Sequence, residues 1–202
     1  MKLIVITTPT YFVEEDQIIT ALFEEGLDIL HLRKPNLPAV YAERLLTLIP
    51  DKFHKRIVIH DHFYLKEEYK LKGIHLSNRN PIVPDNYTGH VSASCHTFDE
   101  VNADKKNCDY VFLSPIFDSI SKEGYHSHFS DEDIREAVRQ GIIDRKVIAL
   151  GGVSDENIVC IKDFGFGGAA VLGSLWNKFD PASDYNYQNL ITYFRQLKEL
   201  AD

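Results

Sequence analysis

Short apolar runs recur along the chain, and within each run the apolar residues are continuous instead of alternating with polar ones. Continuous runs are typical of strands in a parallel sheet whose two faces are both covered. The runs that predict strands are Leu3–Ile6, Leu27–Leu32, Arg56–Ile59, Gly73–Leu76, His90–Ser94, Tyr110–Leu113, Val147–Leu150 and Ala169–Leu172.

Amphipathic stretches between these runs predict helices. The apolar stripes are Ile18, Leu22 and Phe23 before Gly26, then Val40, Leu45 and Leu48, and then Ile134, Ala137 and Val138 before Gly141. Glycine after a stripe is a common helix stop. A last amphipathic pattern covers Tyr187 to Leu200.

Two polar clusters resemble helix starts. Ser130-Asp131-Glu132-Asp133 reads as a capping box with Asp in place of the usual Glu. Ser154-Asp155-Glu156-Asn157 predicts the start of a helix that stops near Gly165. The segment Ser77–Gly89 contains two prolines and no helical stripe, so we expect no more than a rudimentary helix there.

Strands that alternate with helices form either a closed barrel or an open doubly wound sheet. Thr7-Thr8-Pro9 follows the first run where a dinucleotide-binding fold would carry a glycine-rich turn. The last two runs end in glycine, at Gly151-Gly152 and Gly173, which is typical of the phosphate-binding turns of a (β/α)8 barrel. We therefore predict one α/β domain over residues 1–202, a compact (β/α)8 TIM barrel.

Net charge, the first apolar run and the cysteines limit the classes of function that we expect for this chain. The 202 residues carry a formal net charge of -8, which gives no basic surface for nucleic acid or an anionic membrane. The apolar start, Met1 to Ile6, is too short for a signal segment or a membrane span. Cys95, Cys108 and Cys160 are scattered and odd in number, which favours core-filling thiols in a reducing compartment, by default the cytoplasm.

Polar residues at the carboxyl ends of barrel strands converge on one mouth. After the second run, alternation puts His31 and Arg33 on the interior side, and Arg33 can bind a diphosphate or a carboxylate. After the third run, His60-Asp61-His62 offers either an HxH metal pair or, as we favour, Asp61 as an oxygen ligand for Mg²⁺.

Later strand ends add hydroxyl groups and one lysine. Ser94 and His96 lie at the end of the fifth run, where His96 could equally cap the next helix or contact a substrate. The polar loop Asp118–Gly124 after the sixth run resembles a lid that carries Lys122 over a phosphate. His126 and His128 form another HxH pair, for which a metal role is the less favoured interpretation.

Taken together, these segments resemble thiamine-phosphate synthases and the related TenI-like thiazole tautomerases over nearly the whole chain. The pieces that carry the resemblance are His31-Leu32-Arg33-Lys34-Pro35, His60-Asp61, Gly73-Ile74-His75-Leu76-Ser77-Asn78-Arg79-Asn80, Ala93-Ser94-Cys95-His96, Ser114-Pro115-Ile116-Phe117 with Ser119-Ile120-Ser121-Lys122, Gly151-Gly152-Val153, and Leu172-Gly173-Ser174. The resemblance implies a transferase that joins a hydroxymethylpyrimidine diphosphate to a thiazole phosphate and releases pyrophosphate with Mg²⁺.

Several positions depart from the family pattern. Of the two aspartates that hold Mg²⁺ in the synthases, the first matches Asp61 and the second matches Asn80, a weaker ligand. His31 stands where the family has the glutamine that faces the pyrimidine, and His60 stands where it has asparagine. The family's lysine falls on Pro35, so Lys34 is the residue that could reach the phosphate.

The resemblance implies three groups of site residues. The catalytic group is Arg33, Ser94 and Lys122; the substrate-binding group is His31, Lys34, His60, Ser119, Ser121, Gly151, Gly152, Leu172 and Gly173; the metal group is Asp61 and Asn80. Stabilisation of the departing diphosphate would provide most of the catalysis.

Other functions stay open. The tautomerase branch carries a catalytic histidine where this chain has Pro115, which favours the synthase branch. A barrel that binds a phosphorylated ligand without turnover is a further alternative, and a histidine-rich zinc hydrolase is the most remote. A homo-oligomer is possible.

Overall fold

The computed structural model describes residues 1–118, 129–182 and 186–202. Eight parallel strands pair in chain order and the last pairs with the first, so the sheet closes into a barrel. They are β1 (Lys2–Ile6), β2 (Ile29–Leu32), β3 (Ile57–Ile59), β4 (Gly73–Leu76), β5 (His90–Cys95), β6 (Tyr110–Leu113), β7 (Val147–Leu150) and β8 (Gly168–Val171).

Helices connect most of the strands around the outside. In the described part of the chain they are α1 (Glu15–Glu24), α2 (Ala39–Leu48), α3 (Leu65–Glu68), α4 (Phe98–Asp104), α5 (Asp131–Arg139), α6 (Ile158–Phe164), α7 (Gly173–Trp176) and α8 (Gln188–Ala201), with a 3-10 helix at Asp51–Arg56. The predicted (β/α)8 barrel is confirmed, and the open sheet is excluded. The segment Ser77–Gly89 contains no helix, so even the rudimentary helix expected there does not form.

The predicted strands all form, and the largest difference is at β2, which was predicted from Leu27 and begins at Ile29. The Ser130–Asp133 capping box also forms, with both of its reciprocal hydrogen bonds. By contrast, α6 begins at Ile158, because Ser154 enters a turn in which its amide donates to Asn157 Oδ1 at 2.9 Å.

The predicted apolar stripe of α2 is confirmed at Leu45 and wrong at Val40 and Leu48. Val40 and Leu48 are 60% and 53% exposed, whereas Ala42, Leu45 and Leu46 are buried. Residues three and four positions apart share a helix face, and Val40 lies five positions before Leu45, outside that spacing.

The cysteine prediction holds in part. Cys95 and Cys108 are buried free thiols, and burial raises their pKa to about 12 and about 11. Cys160 is exposed, because α6 turns Ile158, Ile161 and Phe164 toward the core and presents the intervening position to solvent. Within the described residues, no helix is long and apolar enough to cross a membrane.

Candidate active site

A cavity of about 340 Å³ lies at the carboxyl ends of the strands. Polar side chains from β2 to β5 line one side, which we call the cationic wall: Arg33, His60, Arg79 and Ser94. The segments after β7 and β8 line the other side, which we call the glycine wall: Gly151, Gly152, Leu172 and Gly173. His96 and Pro115 lie on the rim between the two walls.

Backbone geometry makes glycine necessary in the turn after β7. Gly151 and Gly152 have φ of +93° and +64°, and a Cβ on Gly152 would lie 2.3 Å from the carbonyl oxygen of Asp118. The segment after β6 is held against this turn, since Phe117 donates its amide to the Gly151 carbonyl at 3.1 Å. Beyond β8, Gly173 begins α7, and the first amides of a helix have no acceptor within it. Exposed main-chain amides of this kind suit an anion.

The main chain of Arg33 is held in place by the side chain of Thr7, which follows β1. Its amide donates to Thr7 Oγ1 at 3.0 Å, and the Thr7 hydroxyl donates back to the Arg33 carbonyl at 3.1 Å. Burial lowers the pKa of the Arg33 guanidinium, and the charge of Arg79 lowers it further, while Asp61 opposes both effects. The cationic wall therefore holds two guanidinium groups that repel each other and that an anion would stabilise.

Asp61 and Asn80 are neighbours, as predicted, but they do not line the main cavity. Asn80 donates its Nδ2 to the His60 carbonyl at 2.9 Å and to Asp61 Oδ1 at 3.0 Å. The second Asp61 oxygen, Oδ2, is buried and has no hydrogen-bond partner in the described part of the chain. Because a carbonyl oxygen can only accept, the His60 contact fixes the Asn80 amide with its nitrogen toward Asp61.

Lys34 lies away from the main cavity. It is 4% exposed and pairs with Glu15 Oε1 at 2.5 Å, with Thr10 accepting another hydrogen bond. Burial raises the pKa of Glu15 to about 7, against the opposing effect of Lys34. The alternation that directs Arg33 inward turns Lys34 toward α1, so the structure does not bring Lys34 to the predicted phosphate.

Three buried histidines, His31, His60 and His75, form what we call the histidine floor at the base of the cationic wall, and His60 belongs to both. His31 is fully buried and does not line the cavity; its Nδ1 lies 2.9 Å from His60 Nε2, and its Nε2 lies 2.6 Å from the Tyr110 hydroxyl. His75 bonds to the hydroxyl groups of Ser92 and Ser94, each at 2.8 Å. Burial lowers the pKa of all three imidazoles, that of His75 to about 3.

The histidine floor bears on the zinc alternative. The three imidazoles offer ring nitrogens within 4.8 Å of one another, which is close enough for a metal ion. Both nitrogens of His31 and both of His75 already have protein partners, however. A metal would have to displace these hydrogen bonds, so the arrangement favours neutral, hydrogen-bonded histidines.

The remaining candidates have two outcomes. Ser94 lines the cavity, as does His96, whose Nδ1 lies 2.9 Å from the Ser114 carbonyl oxygen. Since a carbonyl only accepts, His96 Nδ1 is the protonated nitrogen. Ser119, Ser121, Lys122, His126 and His128 lie outside the described residues, so the predicted lid stays a prediction.

The fold and the cavity define a class: a (β/α)8 barrel with arginine side chains and glycine turns around a cavity at the carboxyl ends of its strands. Within that class, the model of the thiamine monophosphate synthase family matches residues 3–175. The chain belongs to this family, and its homologues indicate a transferase.

Individual relatives agree. A structure described as thiamine phosphate pyrophosphorylase from Bacteroides thetaiotaomicron is 62% identical, covers 100% of this chain and 98% of its own, and superposes with a TM-score of 0.94. One from Pyrococcus furiosus with the same description, at 18% identity and a TM-score of 0.76 over 99% of this chain and 95% of its own, shares the fold. The thiamine-phosphate synthase of Dictyoglomus turgidum is 27% identical over 73% of this chain and 70% of its own length.

Proposed function

We propose that the chain joins hydroxymethylpyrimidine diphosphate to a thiazole phosphate and releases pyrophosphate, the thiamine-phosphate synthase reaction. Family membership supports the reaction class. One observation carries the proposal for this chain: a single cavity has guanidinium groups on one wall and glycine turns on the other. Two anionic substrates need two such places side by side.

The cationic wall would hold the diphosphate. As the bond between the pyrimidine methylene carbon and the diphosphate oxygen breaks, negative charge collects on the leaving group. Arg33 stabilises that charge through a planar guanidinium that can bind two oxygens at once, and the Ser94 hydroxyl would donate a further hydrogen bond in place of its contact with His75. We assign Lys122, from the predicted loop after the sixth strand, to the same anion, as the resemblance implies. Ser119 and Ser121 would donate to it from that loop.

The glycine wall would hold the thiazole phosphate. The main-chain amides near Gly152 and Gly173 bind the phosphate without a charged side chain, so the ring of the substrate extends toward the cationic wall. This orientation presents the thiazole nitrogen to the methylene carbon. Holding the two atoms in the reactive geometry lowers the activation free energy, and the reaction needs no strong base. The new bond forms between that nitrogen and the carbon.

His60 would face the pyrimidine, since it lines the cavity floor where the family has an amide side chain. His31 then acts through His60 at 2.9 Å and keeps it in one orientation. Both imidazoles are neutral because burial lowers their pKa, so neither adds charge beside the ring.

The Mg²⁺ that the resemblance implies fits this arrangement poorly. A cation between Asp61 and Asn80 would meet an amide nitrogen in place of the second carboxylate. Asp61 Oδ2, buried with no hydrogen-bond partner among the described residues, could accept a cation, but Arg79 lies 4.0 Å from Oδ1 and its positive charge opposes one. The steps above therefore use the chain's own side chains and amides, and Mg²⁺ stays a prediction of the resemblance.

The direct test is to incubate the protein with both precursors, with and without Mg²⁺, and to measure thiamine phosphate and pyrophosphate together. Equimolar formation of both products is the expected result. Isomerisation of a thiazole phosphate with no pyrophosphate would support the tautomerase alternative instead. Binding of both precursors without turnover would leave a phosphate-ligand-binding barrel.

A further inference from the structure

Arg79 lines the cationic wall, although the family resemblance gives it no role. It lies at the tip of a tight turn that Ser77 and Asn80 close with two mutual main-chain hydrogen bonds of 3.2 and 2.9 Å. Its side chain is 39% exposed. It shares this cavity with Arg33, and its charge lowers the pKa of the Arg33 guanidinium in addition to the larger effect of burial.

The charge of Arg79 is only weakly balanced. Its ion pair with Asp61 spans 4.0 Å, and the Asp61 oxygen involved already accepts a hydrogen bond from Asn80 at 3.0 Å. Among the described residues, the cationic wall thus sets two guanidinium groups against one neighbouring carboxylate. One guanidinium group can donate two parallel hydrogen bonds to phosphate oxygens, and a diphosphate has enough oxygens to accept from both arginines.

The same residues explain why a cation fits poorly beside Asp61. Where the resemblance places a second metal-binding aspartate, this chain has Asn80 with its nitrogen toward Asp61. The residue immediately before it is Arg79, so the turn that lost a carboxylate carries a fixed positive charge. The charge therefore comes from the protein at the place where a divalent cation would supply it.

We propose that Arg79 and Arg33 form a two-guanidinium site that binds diphosphate without a divalent cation between Asp61 and Asn80. The identity of the anion as the leaving group of the reaction rests on the proposed function. The binding chemistry does not, because any diphosphate ester or free pyrophosphate offers the same oxygens.

Calorimetric titration with pyrophosphate tests this site, once in excess chelator and once in Mg²⁺. We expect the wild-type protein to bind pyrophosphate in chelator, with an affinity that falls as salt rises. Arg79→Gln should weaken that binding by about tenfold or more, since it removes a charge-assisted hydrogen bond. Arg79→Lys should recover only part of it, because lysine lacks the two-pronged geometry.

Arg139→Gln is the matched control, since Arg139 is 62% exposed on α5 and pairs with glutamates of its own helix. It should change the affinity less than about twofold. Arg79 lies in an exposed turn, and circular dichroism will verify that each variant is folded. Wild-type binding that requires Mg²⁺, or equal affinity in Arg79→Gln and the control, would overturn the proposal.

A double variant sharpens the result. Arg79→Gln with Asn80→Asp replaces the fixed charge by a second carboxylate, and we expect pyrophosphate binding that is weak in chelator and restored by Mg²⁺. Binding that stays independent of Mg²⁺ in this variant would overturn the proposal. These titrations need no turnover, so a protein that binds pyrophosphate through Arg79 but forms no thiamine phosphate would refute the proposed function alone.

Discussion

The two walls of the cavity are suited to anions by different means. The glycine wall uses main-chain amides, whose positions follow from the strand ends and from the φ of Gly151 and Gly152. The cationic wall uses long side chains, Arg33 and Arg79, held near one carboxylate. The glycine wall tolerates few substitutions because its main-chain amides would contact the anion. The cationic wall can replace one charged group by another.

The largest expected effect concerns the histidine floor at the base of the cationic wall. Burial lowers the pKa of His31, His60 and His75 below the ordinary value of 6.5. Below pH 6.5 the unfolded chain therefore binds protons at these histidines that the folded chain does not bind. The resulting stability is complete above pH 6.5 and decreases as the pH falls below that value; for His75 the decrease continues to about pH 3. Each histidine contributes a slope of about 1.4 kcal/mol per pH unit.

Denaturant unfolding between pH 7 and pH 4 measures this slope. We expect the double variant His31→Gln and His60→Asn, which installs the family's residues, to have a smaller slope than the wild type, because two of the four described histidines with a lowered pKa are removed while His75 and His90 remain. A slope that does not change in the double variant would mean that these histidines titrate normally in the folded protein.

Gly152→Ala tests the glycine wall. A Cβ at this position would lie 2.3 Å from the Asp118 carbonyl oxygen at a φ of +64°, so we expect a loss of about 3 kcal/mol in the free energy of unfolding and loss of thiazole phosphate binding. Gly141→Ala is the control, since Gly141 has a φ of +71° with nothing within 4 Å, and should cost about 1 kcal/mol. Equal costs would show that the close approach of the segment after β6 is unimportant.

Two substitutions test the charged side chains that we assign to the diphosphate. Arg33→Ala and Lys122→Ala should each lower turnover by more than about tenfold, because each removes a charge that stabilises the leaving group. Steady-state kinetics with both substrates measures this. Arg33→Ala should leave the affinity for thiazole phosphate within about twofold of the wild type, since that anion belongs to the other wall. Unchanged rates in both variants would remove both side chains from the mechanism.

The smallest effect belongs to Asn80→Asp. A second carboxylate beside Asp61 should tighten Mg²⁺ binding by roughly severalfold, with Arg79 still opposing the cation. Calorimetric titration with Mg²⁺ measures the change. An unaltered titration would separate Asp61 and Asn80 from metal binding altogether.

The features that the sequence predicts well are local. Eight continuous apolar runs suffice for the barrel, and an apolar run that ends in glycine predicts each turn of the glycine wall. Arg79 was missed because its position depends on the turn between Ser77 and Asn80 and on the packing of β3 beside β4. The sequence signal that could have identified it is that Arg79 directly precedes Asn80, which stands where the family has an aspartate.

Depth and alternation explain the two other differences. His31 and Arg33 share the interior face, but two residues along a strand separate them by roughly 6.6 Å, which places His31 below the cavity and Arg33 on its wall. Lys34 follows Arg33 and therefore faces outward, where Glu15 of α1 binds it. Sequence alternation predicts faces, and only the closed barrel fixes how far each side chain lies from the mouth.

A crystal structure of the protein with pyrophosphate and a thiazole phosphate bound together tests the two-wall account most directly. We expect pyrophosphate oxygens within hydrogen-bond distance of the Arg33 and Arg79 guanidinium groups, and the thiazole phosphate on the amides near Gly152 and Gly173. Both anions on the glycine wall, or a pyrophosphate that avoids Arg33, would contradict the account.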